Sequence, residues 1–138
     1  MAIERINPAG LGRPSGFSHL VAVTDGRLLF LAGQTAVDTG GRVVGSGVVE
    51  QFEQALGNLL TALRAGGGEP ADLVSVTVYA VDLGDYRAHG RELGEVWRRL
   101  AGREYPAIAA IGVSRLWDPA ALVEIQGVAA PGASQAGT

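Results

Sequence analysis

The sequence predicts an α+β domain in which a mixed β-sheet is covered on one face by two α-helices. Apolar residues recur at helical spacing over residues 49–65 and again over residues 85–100. Between these two segments, apolar and polar residues alternate over residues 74–80, as they do in a half-buried strand. The order of strands, helix, strand, helix and strands, with short strands throughout, is typical of an α+β fold rather than a doubly wound one.

The first predicted element is an antiparallel hairpin. Its strands are His19–Val23 and Leu28–Ala32, and they flank residues 24–27, whose Asp-Gly pair is a strong short-range hairpin signal. A second turn over Asp38–Gly41 leads into a short strand near Arg42–Val44.

The first predicted helix covers about residues 49–65. Its apolar side chains stand three and four positions apart, and three glycines at residues 66–68 end the pattern. We expect this apolar face to pack on the sheet. Its members are Phe52, Ala55, Leu56, Leu59, Leu60 and Leu63.

The second predicted helix covers about residues 85–100, with an apolar stripe that includes Leu93 and Trp97. The same periodicity turns Arg91 and Arg98 outward, toward solvent.

Two apolar strands, Ala109–Val113 and Leu122–Ala129, complete the sheet. Both strands are apolar on their two faces, which is unusual for a sheet face in contact with water. We therefore predict that the sheet face without helices is buried by self-association.

The composition limits the possible chemistry of a single domain of 138 residues. We expect its core at about residues 16–130 and a flexible tail at residues 131–138, which are small and polar. The formal charge of −3 gives no basic field for nucleic acid. All eleven basic residues are arginine, so a lysine Schiff base, including the usual pyridoxal-phosphate linkage, is excluded. Without cysteine there is no thiol nucleophile and no thiolate metal site.

The sequence also predicts the cellular location of the protein. Residues 1–5 include Glu4 and Arg5 and are not followed by a long apolar stretch, so we expect no signal peptide. The apolar runs are too short to span a bilayer. We expect a cytoplasmic protein that does not bind membranes.

Three sequence blocks occur in a fixed order: residues 31–34 (Leu-Ala-Gly-Gln), residues 51–60, and the two apolar runs at 106–113 and 122–129. Together they resemble the Rid family of reactive-intermediate imine/enamine deaminases, also called YjgF-like proteins, over about residues 16–129. The resemblance implies a homotrimer whose sheets form a central barrel. It also implies small-molecule clefts between subunits and chemistry that needs no cofactor.

One residue departs from the family pattern. Active deaminases of the family carry arginine directly after a Pro-Ala pair, and this chain has Ile108 there. The family's arginine is understood to hold the substrate carboxylate in a bidentate ion pair, which isoleucine cannot form. We therefore predict a hollow without guanidinium groups, although Arg13 or Arg115 could replace the missing charge.

Glu124 is the candidate catalytic residue. It is a carboxylate among aliphatic neighbours, where an unpaired charge is costly, so we expect it to point into a wet cleft or to meet a partner. By the resemblance, it matches the family's carboxylate that positions or activates water. The alternative is an outward strand glutamate paired with Arg115.

The other candidate residues would line the pocket, and several have lost polarity relative to the family. By the resemblance, Ala32 replaces a serine of the family, Phe17 replaces a tyrosine and Gly90 replaces an asparagine, in addition to Ile108 in place of arginine. The pocket would also offer backbone contacts. The substrate-binding candidates are Phe17, Ala32, Gly33, Gln34, Gly90, Ile108 and Ala109.

The remaining residues that could carry chemistry have open roles. His19 and His89 are too few and too scattered to indicate a metal site. His89 either acts as an acid or base beside Gly90 or is an exposed helix histidine, and Trp117 either caps a pocket or packs.

The sequence supports two functional hypotheses. The first is a Rid-like enzyme acting on a reactive imine or enamine by cofactor-independent hydrolysis or proton transfer, though not a standard 2-aminoacrylate deaminase. The second is a non-catalytic trimeric ligand-binding or scaffold protein of the same fold.

Overall fold

The computed structural model describes residues 2–134 and shows an α+β fold. A short 3₁₀ turn over Pro70–Asp72 precedes the fourth strand. In chain order, the elements are β1 (Ile3–Ile6), β2 (Leu20–Val23), β3 (Leu29–Gln34), α1 (Val48–Ala65), β4 (Leu73–Ala80), α2 (Leu83–Ala88), α3 (Gly90–Ala101), β5 (Ala107–Gly112), β6 (Val123–Ala129) and α4 (Pro131–Ser134).

The main sheet has four strands in the order β3-β6-β4-β5. β4 and β5 are parallel, whereas β6 runs antiparallel to both β3 and β4, so the sheet is mixed as predicted. The two long helices, α1 and α3, pack together, and α1 also packs on β3 and β6. The predicted sheet with helices on one face is confirmed.

The core lies between the sheet and the helices. α1 contributes the apolar face predicted from its spacing, and Leu56, Leu59 and Leu63 are completely buried. The sheet contributes the alternate residues of β4 and β6, such as Val76 and Ile125. Because strand side chains alternate between faces, the residues between these must point away from the helices.

Amide side chains of α1 hold the loops that flank the sheet. Gln51 is buried, and its Nε2 donates to the carbonyls of Gly45 at 3.3 Å and Ala120 at 3.2 Å. Its Oε1 accepts from the backbone N–H of Leu122 at 2.8 Å. Asn58 likewise donates to two carbonyls of the loop after β3. These residues, which contribute to the family resemblance, therefore fix the backbone that follows β3 and the backbone that precedes β6.

The predicted hairpin of β2 and β3 is wrong. β2 pairs with β1 in a separate two-stranded sheet, while β3 pairs with β6. β1 was not predicted from the sequence, and it is the strand that pairs with β2. Ile3 of β1 is buried against Ala130. β3 lies at the edge of the main sheet, and the turn at Asp25-Gly26 therefore connects the two-stranded sheet to the four-stranded sheet.

Three smaller differences concern element boundaries. The second helix is divided into α2 and α3 at His89, next to Gly90, because glycine weakens a helix interior. The strand near residues 42–44 is reduced to an isolated bridge between Val37 and Val43. In the tail, α4 forms over its first four residues, and residues 135–138 lie outside the described part of the chain.

The sheet face opposite the helices carries exposed apolar groups. Phe30 on β3 is 77% exposed and Ile111 on β5 is 43% exposed. The polar side chains of Ser75, Thr77 and Tyr79 share this open face, since they alternate with the buried residues of β4. No helix within residues 2–134 is long and apolar enough to cross a bilayer.

Candidate functional site

A cavity of about 590 Å³ opens between the edge strand β5 and helix α3. β5 is an edge strand of the four-stranded sheet, with β4 as its neighbour. The walls are about equally polar and apolar. The lining residues are Ser15, Gly16, Phe52, Val78, Tyr86, Gly90, Arg91, Leu93, Gly94, Trp97, Arg98, Tyr105 and Ile108.

Ile108 lies in this cavity. It is opposite Val76 in the parallel β4–β5 pairing, and Val76 faces the helices and is only 1% exposed. Ile108 therefore points to the helix side of the sheet, where it packs against the core. At this position, the chain offers an aliphatic surface to any bound molecule.

Two arginines of α3 also line the cavity, so the cavity within one chain contains guanidinium groups, while the prediction for a hollow between subunits stays a prediction. The two arginines are Arg91 and Arg98, whereas Arg13 and Arg115, the replacements suggested by the sequence, are not among the lining residues. The helix periodicity correctly placed both arginines on the exposed side of α3. The periodicity did not predict that this side of α3 also lines the cavity. Gly90 and Gly94 have no side chains, which leaves room for the two arginines at the cavity.

Glu124 lies on the open face of the sheet, and its carboxylate covers Gly33. A Cβ built on Gly33 would overlap Glu124 Oε2 and stand 2.9 Å from Glu124 Cδ. Glycine at position 33 is therefore what allows the carboxylate to rest against the β3 backbone. Glu124 is half-buried and stands opposite Tyr79 in the β4–β6 pairing.

The carboxylate of Glu124 is not used in the internal structure of the chain. Across residues 2–134, no hydrogen-bond donor and no cation is paired with it, and the alternative pairing with Arg115 does not form. A half-buried carboxylate without an internal partner remains able to bind water or a ligand.

The candidate residues fall into two groups on opposite faces of the sheet. Ile108 and Gly90 lie in the cavity. Gly33 and Glu124 are in contact on the open face, and Ala109 is opposite Thr77 on that same face. Within one chain, therefore, the candidate catalytic carboxylate and the cavity do not meet.

The remaining candidates lie near these two groups. Ala32 is exposed on β3, and its carbonyl accepts a weak hydrogen bond from Gln34 Nε2 at 3.4 Å. Phe17 is half-buried, follows the cavity-lining Gly16, and packs edge-on against His19 with ring centroids 5.1 Å apart.

The two histidines take part in local structure. His19 Nε2 is 2.6 Å from the carbonyl oxygen of Gly12. His89 Nδ1 is 2.9 Å from the carbonyl oxygen of Asp85, a hydrogen bond that raises the pKa of His89. Trp117 is 97% exposed and is not among the residues that line the cavity. In the described part of the chain, no group of three or more His, Cys, Asp or Glu side chains could hold a metal ion.

Tyr86 provides a phenol in the cavity wall. It packs against Phe52 with ring centroids 6.1 Å apart, and its burial raises the pKa of Tyr86 to about 12. The phenol therefore remains protonated at neutral pH and can donate a hydrogen bond to a molecule in the cavity.

The raised pKa of Tyr86 predicts a loss of stability at alkaline pH. Its ordinary pKa is 10.0, so the folded state holds the phenolic proton more tightly than the unfolded state does. The contribution to the free energy of unfolding is complete below the unfolded pKa and is lost as pH rises through the folded one, to a total of roughly 3 kcal/mol. Urea unfolding at about pH 9 and about pH 11 should show a smaller loss in Tyr86→Phe than in the wild type. An equal loss in both would contradict this origin, and Tyr79→Phe is the matched control.

A family model described as Endoribonuclease L-PSP matches residues 11–131. A RutC family protein from Pyrococcus horikoshii is 35% identical over 109 residues, which are 78% of this chain and 82% of that protein. A protein of Capra hircus named 2-iminobutanoate/2-iminopropanoate deaminase is 33% identical over 126 residues, which are 91% of this chain and 85% of that protein.

Solved structures share the fold along nearly the whole chain. A protein of unknown function from Yersinia pestis, described as a member of the conserved Rid family, aligns with a TM-score of 0.84 at 35% identity and covers 94% of this chain and 99% of its own. The YjgF gene product of E. coli aligns with a TM-score of 0.67 at 26% identity, covering 90% and 92%. The alignments therefore span the elements that carry both groups of candidate residues.

Proposed function

The chain belongs to the YjgF/Rid family, and from this premise we propose that it hydrolyses a reactive imine or enamine without a cofactor. The observation that carries the proposal is the contact between Glu124 and Gly33, which holds an otherwise unpaired carboxylate against strand β3. The names of relatives such as the goat imine deaminase support the reaction class.

Imine hydrolysis requires only a group that transfers protons and groups that hold the substrate in place. Water adds to the carbon of the C=N bond, the nitrogen gains protons, and ammonia leaves as the carbonyl forms. Glu124 would accept a proton from the attacking water and return it to nitrogen, which is general acid–base catalysis by one carboxylate. Backbone groups of Gly33 and Ala109 would fix the substrate beside it.

We propose that the protein is a homotrimer with its ligand clefts between subunits. Glu124 and Ile108 face opposite sides of one sheet, so a neighbouring chain is needed to bring a carboxylate to the cavity. The exposed Phe30 and Ile111 provide apolar surface for such an interface. The same association would cover the sheet face that the helices leave open.

Ile108 argues against 2-aminoacrylate as the preferred substrate. This small imine precursor has a carboxylate but little apolar surface, and Ile108 offers that carboxylate nothing to bind. The ribonuclease description of the family model is not supported by charge, because a formal charge of −3 does not favour phosphate binding. We propose a metabolic role in the cytoplasm.

An ammonia-release assay tests the proposal. We expect the wild type to accelerate hydrolysis of imines generated in place, slowly for 2-aminoacrylate, and Ile108→Arg to gain activity on 2-aminoacrylate by restoring an ion pair worth about tenfold or more. Ile6→Arg, the same exchange on β1, is the control for added charge.

Two results would contradict this account. Rapid wild-type turnover of 2-aminoacrylate would show that the isoleucine does not limit the substrate. No turnover of any imine, together with retained binding of small ligands, would favour the non-catalytic ligand-binding protein.

A further inference from the structure

We infer that the cavity binds 2-imino or 2-oxo acids with a bulky apolar side chain, and that Arg91 and Arg98 of α3 hold their carboxylate. The identification of the ligand as an imino acid rests on the proposed function. The two arginines, which lie on α3 at the mouth of the cavity, would thus replace the positive charge that Ile108 on β5 does not provide.

The two arginines lie on the same side of α3. They are seven residues apart, which is close to two helical turns and so brings them to nearly the same face. The guanidinium of Arg98 folds back along the helix, with its Nη1 3.2 Å from where a Cβ of Gly94 would stand. Gly94 itself lines the cavity, so this guanidinium lies at the cavity mouth, where it is still exposed to solvent.

Neither guanidinium is neutralised by the protein. Throughout residues 2–134, Arg91 and Arg98 form no ion pair and no side-chain hydrogen bond, whereas the adjacent Arg99 pairs with Glu53 at 2.7 Å. Two positive charges beside one cavity, without a carboxylate partner, favour an anionic ligand. A planar carboxylate suits the fork of N–H donors that arginine presents.

The cavity is also larger than a very small acid needs. Its volume of about 590 Å³ is in the range of sites that enclose drug-sized molecules. Ile108, Val78 and Trp97 offer hydrophobic surface, and Tyr86 adds a phenol. In this arrangement, the isoleucine has a positive role, because it contacts the apolar side chain of the ligand.

Binding of stable ligands tests the inference without requiring turnover. Calorimetric titration of the wild type should show phenylpyruvate binding at least tenfold more tightly than pyruvate, which lacks the ring, and than 1-phenylpropan-2-one, which lacks the carboxylate. Arg91→Gln/Arg98→Gln should weaken phenylpyruvate at least tenfold and leave 1-phenylpropan-2-one unchanged. The control is Arg87→Gln/Arg103→Gln, which removes two exposed arginines outside the cavity and should bind phenylpyruvate as the wild type does.

The outcomes separate this inference from the proposed function. Equal binding of phenylpyruvate by the wild type and Arg91→Gln/Arg98→Gln, or equal loss in both double variants, would overturn the role of the two arginines. Preference for pyruvate would overturn the bulky ligand. If phenylpyruvate binds as expected but no imine is hydrolysed, the binding site stands and the proposed hydrolysis fails.

Discussion

Glu124→Gln is expected to lower imine hydrolysis by about 10²-fold or more while leaving the fold intact. The carboxylate is the proposed general base, and removing a positioned acid–base group typically costs 10²–10⁴-fold in rate. Glutamine keeps the shape of the side chain over Gly33 but cannot accept the proton from water. The measurement is kcat for ammonia release with the best imine substrate, with Glu4→Gln on the exposed strand β1 as the matched control.

Gly33→Ala tests the same site without removing the carboxylate. The new methyl group would meet the flexible end of Glu124, so the side chain should move aside and the chain should keep its fold. We expect kcat to fall toward that of Glu124→Gln, while the unfolding transition changes little. Full activity in either variant would contradict the catalytic role of Glu124. Gly57→Ala on α1, where a Cβ has open space, controls for the exchange itself.

The sequence was sufficient for elements whose side chains repeat with a clear period. The face of α1 that includes Leu56 and Leu59 and the alternation along β4 both predicted which side of each element is buried. The sequence also singled out the carboxylate at position 124 as a candidate, because an unpaired charge within an aliphatic strand is costly, and its catalytic role stays a prediction. These inferences depend on local patterns, which the fold preserves.

Features that depend on pairing between distant segments were not predictable. The hairpin prediction failed because the Asp-Gly turn reports only local backbone, whereas the partners of β2 and β3 come from opposite ends of the chain. Arg91 and Arg98 were interpreted as outward helix residues, which periodicity alone supports. Their position at the cavity depends on how α3 sits beside β5, a tertiary relation that no local pattern encodes.

Phe30→Glu is expected to dissociate the proposed homotrimer and to abolish hydrolysis. Phe30 is 77% exposed, so a charge there costs the isolated chain little, but it would be buried without a partner in an apolar interface. Activity should be lost with assembly, because one chain holds Glu124 and the cavity on opposite faces of its sheet. The measurements are mass by sedimentation, ammonia release, and thermal unfolding by circular dichroism.

The comparison variant for this prediction is Leu11→Glu, which places the same charge on another exposed apolar residue, outside the sheet. It should keep the wild-type mass and activity. If Phe30→Glu instead remains assembled and active, the open face is not the interface, and some other surface must bring the two groups together. If it becomes a folded, fully active monomer, the carboxylate and the cavity do not need to meet, and catalysis would have to be explained by the open face alone.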